Sequence, residues 1–413
     1  MAILDAPGLN SPSAGVCPAC HHPSSSPFLR IERVPVFCNV LHASASTARD
    51  APCSVIDLVL CERCAVIYNA RFDPALVQYS PGYQNPLHVS EYFRGFAEEL
   101  SSRLVRHHHL FGGTAIEIGC GDGFFLERLV ESGMHKGIGY DPTMGEGTSG
   151  RKIPSVQIVP ELFNVHQSAG AVDAIICRHV FEHLANPREF LAGLRNTAGR
   201  QTLMYFEVPN ATRMLESVIV WDVIFEHFTY WTSAALSALF VRCGFNPLSV
   251  STDFGSQFLM LEARPSPWPS QRSWPTRAEV RATRDQCSRF GEASTKLISC
   301  CRTELRNLKA QGRKAVVWGA GSKGITFANV VAGHEPLLAG IIDINPEKQG
   351  KYVAFSGFPV LAPSQLNDLR PDRIILMNEN YTLEVAKLLK EFGVTADIQS
   401  ISQFSKTSRK SYA

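Results

Sequence analysis

The 413-residue chain holds 45% hydrophobic and 19% charged residues with a net charge of +2. That balance is globular and gives no general pull toward nucleic acid or an anionic membrane. No run approaches eighteen uninterrupted apolar residues, and the start Met1 to Gly8 lacks a basic head followed by an apolar stretch, so secretion and membrane insertion are unsupported and a cytoplasmic location is expected.

The length calls for two or three domains, each with its own core. Residues 1–16 are rich in Ser, Pro and Gly and are expected to be flexible. Residues 17–75 read as a metal module: Cys17-Pro18-Ala19-Cys20 and Cys61-Glu62-Arg63-Cys64 are two knuckles whose spacing suits two thiolates each on one tetrahedral ion. With four sulfurs and no open position, a zinc ion there would be structural. His21, His22, Cys38 and Cys53 lie between the knuckles as possible exchanged ligands, and a redox pair or surface thiols is the other reading. Twelve cysteines in a chain without an export signal suit metal ligands or core thiols better than disulfides.

Residues 76–264 alternate strand and helix patterns, which implies a doubly wound α/β sheet. A helix is expected over Ser90–Val105, from the spacing of Tyr92, Phe93, Phe96, Leu100 and Leu104, leading to a first strand at Thr114. That strand runs into Glu117-Ile118-Gly119-Cys120-Gly121-Asp122-Gly123, and a second strand ends at Asp141. Three glycines at alternate positions let a ligand approach the backbone, and an acid on the next strand can accept both ribose hydroxyls. Glu-x-Gly-x-Gly-x-Gly differs from the Gly-x-Gly-x-x-Gly of pyrophosphate-binding turns, so Glu117, Gly119, Gly121, Gly123 and Asp141 read as an S-adenosylmethionine site. Farther on, Arg178-His179-Val180-Phe181-Glu182-His183 follows the strand Ala174–Cys177, and Trp221 to Trp231 packs Glu226-His227 and Tyr230 among bulky apolar groups. A histidine in such a setting stays neutral near pH 7 and acts as a base, with the adjoining carboxylate fixing its orientation.

Residues 265–311 read as a linker and a long helix from about Thr276 to Gln311, and residues 312–405 as a second Rossmann-like α/β domain. Its first strand, Lys314–Trp318, meets Gly319-Ala320-Gly321-Ser322-Lys323-Gly324, and the next ends at Asp343. This satisfies the dinucleotide fingerprint, but such a turn binds any pyrophosphate or none. Lys323 adds a cation that suits a nucleotide-sugar diphosphate as well as a nicotinamide cofactor. The basic end, Ser405 to Ala413, reads as a solvated tail.

Taken in order, the four-cysteine module, the Glu-x-Gly-x-Gly-x-Gly loop, Glu-His after the fourth strand, Glu226-His227 in an aromatic run, and Gly319–Gly324 with Asp343-x-Asn345-Pro346 and Lys348-Gln349-Gly350 resemble the three-domain, zinc-containing sugar C-methyltransferases of deoxysugar biosynthesis. The resemblance covers about residues 17–400. It implies S-adenosylmethionine and structural zinc as cofactors, and as substrate a nucleotide-linked 4-keto-deoxyhexose methylated at a carbon next to the ketone. It also implies His227 as base with Glu226 as its partner, His183 as hydrogen-bond donor to the enolate oxygen, and Tyr83 or Tyr79 on a segment covering the substrate. One departure stands out: the family usually has a tyrosine just before the Glu-His pair, where this chain has Ile224 and Phe225. Tyr230 or His179 is then expected to supply the missing hydrogen bond, or the substrate differs. Competing readings are an O- or N-methyltransferase, an NAD-dependent sugar oxidoreductase using Gly319–Gly324, and a zinc and nucleotide-binding module without activity.

Overall fold

The computed structural model describes residues 15–23, 26–77, 83, 86–144, 154–165, 172–267 and 274–404. The expectations for residues 1–14, Tyr79, most of the linker and the basic tail lie outside them. The amino-terminal module contains β1 (Leu29–Pro35), β2 (Leu41–His42), the short helix α1 (Ala45–Arg49), β3 (Cys53–Leu60) and β4 (Ile67–Asn69). Helix α2 (Glu91–His107) opens the central domain two residues longer than expected; the Ser90 side chain caps it by accepting from the Phe93 N–H. Its buried stripe, Phe93, Ala97, Leu100, Leu104 and Val105, follows the helical period.

The central domain continues with β5 (Thr114–Ile118), α3 (Phe124–Glu131), β6 (Lys136–Tyr140), β7 (Val156–Val159), β8 (Ala174–Arg178), α4 (Pro187–Thr197), β9 (Leu203–Pro209), α5 (Ala211–Glu216), β10 (Thr229–Tyr230), α6 (Ser233–Arg242), β11 (Phe245–Asp253) and β12 (Phe258–Pro265). Seven of its strands form one sheet in the order β11-β12-β9-β8-β5-β6-β7, with β12 antiparallel to both neighbours. Chain order reverses between β5 and β8. Ligands of open α/β sheets bind outside the carboxyl ends of the strands at such a point, so the site is set between the glycine loop after β5 and the histidine segment after β8.

The long helix α7 (Arg277–Ala310) starts on a capping box: the Thr276 side chain accepts from the Glu279 N–H, and Glu279 Oε2 accepts from the Thr276 N–H at 2.6 Å. After it come β13 (Ala315–Trp318), α8 (Ser322–Phe327) running into a π-helical turn at Ala328–Ala332, β14 (Gly340–Ile342), β15 (Tyr352–Val353), β16 (Val360–Leu361), α9 (Leu366–Leu369), β17 (Arg373–Leu376), α10 (Thr382–Glu391) and β18 (Asp397–Ser400). Five parallel strands, β16-β14-β13-β17-β18, make the second sheet, with its own reversal between β13 and β17.

The three parts interlock. β10 of the central domain pairs with β4, completing the amino-terminal sheet as β1-β3-β4-β10, and β15 of the last domain pairs with β2. Gln257 Nε2 donates to Asn378 Oδ1 at 2.8 Å, and Ser90 Oγ donates to Glu384 at 2.7 Å. Among the described residues, no helix is long and apolar enough to cross a membrane.

Helix α7 docks on β1 at a position only glycine tolerates: a Cβ on Gly291 would sit 1.9 Å from the Phe28 carbonyl oxygen. In an isolated helix Gly→Ala stabilises by about 1 kcal/mol. Here the order reverses: Gly291→Ala is expected to destabilise by about 1–3 kcal/mol, read as a lower midpoint of thermal unfolding.

Candidate active site

Gly119, Gly121 and Gly123 all have positive φ (+72°, +52° and +84°), so the loop needs glycine for its backbone path. A Cβ on Gly119 would strike Val180 at 2.2 Å, whereas nothing lies within 4 Å of one on Gly121, leaving an open cradle there. Behind the loop, Glu117 is buried and its Oε2 has no hydrogen-bond partner among the described residues. Burial pushes its carboxyl up to about 8, against the pull of Arg178. Asp141 holds the loop to the sheet: Oδ2 accepts from the Gly121 N–H at 2.8 Å, and Oδ1 accepts from the Thr143 N–H and hydroxyl at 2.9 and 2.6 Å. A carboxylate has about four lone-pair sites, so one remains for a ligand. An open cradle beside an unpartnered buried carboxyl suits the hydroxyls and ammonium of S-adenosylmethionine.

Across the reversal point, Arg178 Nε and Nη2 reach Glu207 Oε1 at 3.2 and 3.0 Å, and the Tyr205 hydroxyl donates to Oε2 at 2.8 Å. Burial alone would raise the Glu207 carboxyl, but Arg178 and His179 hold it down at about 2. His179, with φ +55°, puts Nε2 3.0 Å from Glu207 Oε1. One helical turn, Phe181–His183, follows; Phe181 anchors it by stacking on Trp231 with ring centroids 5.1 Å apart.

His183 Nδ1 lies 2.9 Å from the Glu226 carbonyl oxygen. A carbonyl only accepts, so Nδ1 carries the proton. Burial lowers the His183 pKa to about 4, so the ring is neutral and Nε2 presents a lone pair. The expected donor to an enolate oxygen is therefore an acceptor until it gains a proton. The His227 ring lies 4.9 Å from that of His183, and its Nδ1 is buried with no hydrogen-bond partner among the described residues. Burial first, then His183, His179 and Lys323, take its pKa well below the usual value. The His227 ring is therefore neutral near pH 7.

Glu226 Oε2 accepts from the Cys38 N–H at 2.7 Å, which ties this carboxylate to the amino-terminal module, while its Oε1 has no hydrogen-bond partner among the described residues. Burial raises it to about 7, while the Cys38 N–H and the Tyr83 hydroxyl pull it down. The carboxylate beside the histidines is Glu182: one side-chain nitrogen or oxygen each of Glu182, His183 and His227 lies within 4.8 Å of the others. Tyr83 is half-buried and accepts from Asn39 Nδ2 at 3.2 Å. Tyr230 is not available as a replacement donor, because its hydroxyl donates to the Ile224 carbonyl at 3.0 Å and accepts from the Ile224 N–H at 3.2 Å.

The second glycine turn is built like the first. Asp343 accepts from the Ala320 and Asn345 N–H groups, both at 2.8 Å, and Lys348 Nζ donates to the Ala320 carbonyl at 2.8 Å. Gly324 permits the close helix-strand packing, since a Cβ there would sit 1.9 Å from the Gly319 carbonyl. Asp343 thus serves the turn itself, and Lys323 pairs with Asp222 of the central domain instead of standing as an uncompensated cation. Ser322 Oγ is 3.4 Å from Asn39 Nδ2, which brings this turn to Tyr83.

Cys17, Cys20, Cys61 and Cys64 converge as free thiols, with Sγ–Sγ distances of 3.5 Å (Cys17 to Cys64) and 3.4 Å (Cys20 to Cys61). Four sulfurs about 2.3 Å from a tetrahedral ion stand about 3.8 Å apart, so the cluster fits zinc. The alternative ligands stay away: the Cys38 thiol lies 3.9 Å from Thr326 Oγ1, and Cys53 donates to Ala51.

Sequence reasoning singled out most of these side chains but missed three roles. Glu182 carried a signal, because its i, i+3 relation to His179 and adjacency to His183 put it on the same turn. Asp222 was visible only as part of the aromatic run. Asn39, buried and bonded to both Tyr83 and Ser322, had none.

Residues 91–250 match the methyltransferase domain family, and residues 276–397 match the C-methyltransferase C-terminal domain. The chain is 24% identical over 297 residues to C-methyltransferase NovU of Streptomyces niveus, covering 68% of this chain and 70% of that one. It is 28% identical over 159 residues to a tRNA U34 carboxymethyltransferase of Pseudomonas fluorescens, covering 35% and 49%. One similar solved structure is an S-adenosylmethionine-dependent methyltransferase of Clostridium acetobutylicum, at 10% identity and TM-score 0.34 over 44% of this chain and 95% of that one.

At the position where a hydroxyl was expected, Phe225 is fully buried, its ring 5.7 Å from that of Phe72 in a stacked arrangement. Phe225→Tyr places a phenol hydroxyl in this apolar stack. A cost of about 1–3 kcal/mol is expected, measured as a lower denaturant midpoint at unchanged slope.

Proposed function

We propose that this member of the sugar C-methyltransferase family, an S-adenosylmethionine-dependent enzyme, methylates a carbon next to the ketone of a nucleotide-linked 4-keto-deoxyhexose through an enolate. The observation that carries the reading is His227: a neutral imidazole whose ring lies 4.9 Å from that of His183. A carbon next to a ketone must lose a proton before it can accept a methyl group, and a neutral histidine shielded from water is suited to take it. Methylation of a hydroxyl or amine would use the same base only to deprotonate the heteroatom, with no exchange at carbon.

Glu117, the Gly119–Gly123 loop and Asp141 would hold S-adenosylmethionine, which supplies an electrophilic methyl when bound. Tyr83, bonded to Asn39 and to Glu226, would donate to the developing enolate oxygen by turning its hydroxyl from Glu226. His183 joins as a second donor once Nε2 is protonated, its ring fixed by the Glu226 carbonyl. His179, paired with Glu207, lines the same segment. The carboxyl-terminal turn, with Lys323 and Asp343, would face the nucleotide, Lys323 exchanging Asp222 for a phosphate. Cys17, Cys20, Cys61 and Cys64 would hold one structural zinc.

The test is solvent-deuterium incorporation, in D₂O with S-adenosylhomocysteine bound, into the carbon next to the ketone of a nucleotide-linked 4-keto-deoxyhexose. The wild-type protein should exchange that position, and His227→Ala should slow both exchange and methyl transfer by about 10²-fold or more. Methylation of oxygen or nitrogen with no deuterium at carbon would replace this reading with the heteroatom one. For the metal, elemental analysis should find one zinc per chain, lost in Cys61→Ser together with a lower unfolding temperature.

A further inference from the structure

Two buried groups at the centre of the site lack partners although they are neighbours. Glu182 is 1% exposed, and its Oε2 has no hydrogen-bond partner among the described residues; His227 Nδ1 is in the same condition. The cost of leaving such a group unpaired is about 1–3 kcal/mol, and one side-chain nitrogen or oxygen each of Glu182, His183 and His227 lies within 4.8 Å of the others. The other carboxylate next to the base, Glu226, is anchored through Oε2 by the Cys38 N–H at 2.7 Å, with Oε1 unpartnered among the described residues; Glu182 is the one that clusters with both histidines.

We propose that Glu182, not Glu226, is the positioning carboxylate of His227, accepting its N–H when the imidazolium forms. This rests on the enolate reading. In the step, the C–H bond next to the ketone breaks, its electron pair enters the enolate, and its proton passes to His227; the Glu182 carboxylate pairs with the cation so formed.

The groups facing Glu182 come from three directions. On its own segment, His179 Nδ1 lies 3.9 Å away and His183 adjoins it; Cys177 lies at the end of β8 beneath it; Glu207 faces it from β9 and His227 from the segment before β10. Thr229 Oγ1 donates to the Glu182 carbonyl at 3.3 Å and fixes the turn. Burial, with Glu207 adding like charge, places the Glu182 carboxyl at about 8. The ionised form that supports an imidazolium therefore gains population as pH rises through 8.

Deuterium exchange followed from pH 6 to 10 should rise through that range in the wild type. In Glu182→Gln the rise should vanish and the rate should fall on the order of 10²-fold, while binding of S-adenosylhomocysteine and the unfolding temperature stay unchanged. Glu182→Asp should restore a rise, and Glu226→Gln should lower the rate at every pH without removing it. A Glu182→Gln profile that keeps the wild-type rise, or a rise lost only in Glu226→Gln, overturns the proposal. A second readout needs no turnover: nitrogen NMR of labelled histidine should show the His227 resonances shift as Glu182 ionises near pH 8, a step absent in Glu182→Gln. A wild-type His227 profile without that step overturns Glu182 even if exchange fails, whereas the step with no carbon exchange in wild type removes the enolate reading and leaves the pair standing.

Discussion

The hydrogen bond from the Cys38 N–H to Glu226 Oε2 joins parts of the chain 188 residues apart, and the site depends on it. A hydrogen bond to a charged group contributes about 1.5–3 kcal/mol, and a buried carboxylate deprived of its donor costs more than that. By taking the Glu226 side chain, Cys38 leaves the Glu226 carbonyl to hold His183 in one tautomer. The residues flanking the bond do the remaining joining: the Cys38 thiol meets Thr326, and Asn39 meets Tyr83 and Ser322. Three domains thus converge on two consecutive residues of the amino-terminal module.

Four buried glutamates around this junction share a side chain and differ in charge state. Glu207 has an arginine, a tyrosine and a histidine to satisfy it, and it stays ionised down to about 2. Glu226 has a backbone donor and a hydroxyl and sits near 7, while Glu117 and Glu182, whose burial is not offset by such donors, rise to about 8. Environment assigns the roles: one carboxylate anchors the sheet, one ties two domains, and two are kept near neutrality, where a ligand or a proton can change them.

Much of this could be read along the chain because it is local. The strand at Thr114, the alternate glycines, the Thr276 capping box and both Cys-x-x-Cys knuckles depend on residues within a few positions of one another, and the fold shows them. The acids ending the second strand of each α/β domain were identified as well, but both close their own glycine loops, using a residue two positions downstream. What escaped reading is long-range. Adjacency suggested that Glu226 serves His227, yet the two lie at a turn closed by the His227 N–H on the Ile224 carbonyl, and one Glu226 oxygen meets the Cys38 N–H. Lys323 stood alone in its motif and met Asp222, 101 residues earlier.

The pairing of β10 with β4 also governs when the first domain can finish folding. β4 ends at Asn69, and the strand that covers its edge begins at Thr229, 160 residues later. At roughly 5–20 residues per second of synthesis, that edge waits about 8–32 seconds for its partner. Until then a short row of unpaired backbone groups faces the cell, open to the wrong neighbour. An ion seated early on the four thiols would keep β3 and β4 in register through that interval, so a metal with no part in the chemistry would act as a timekeeper for the ribosome.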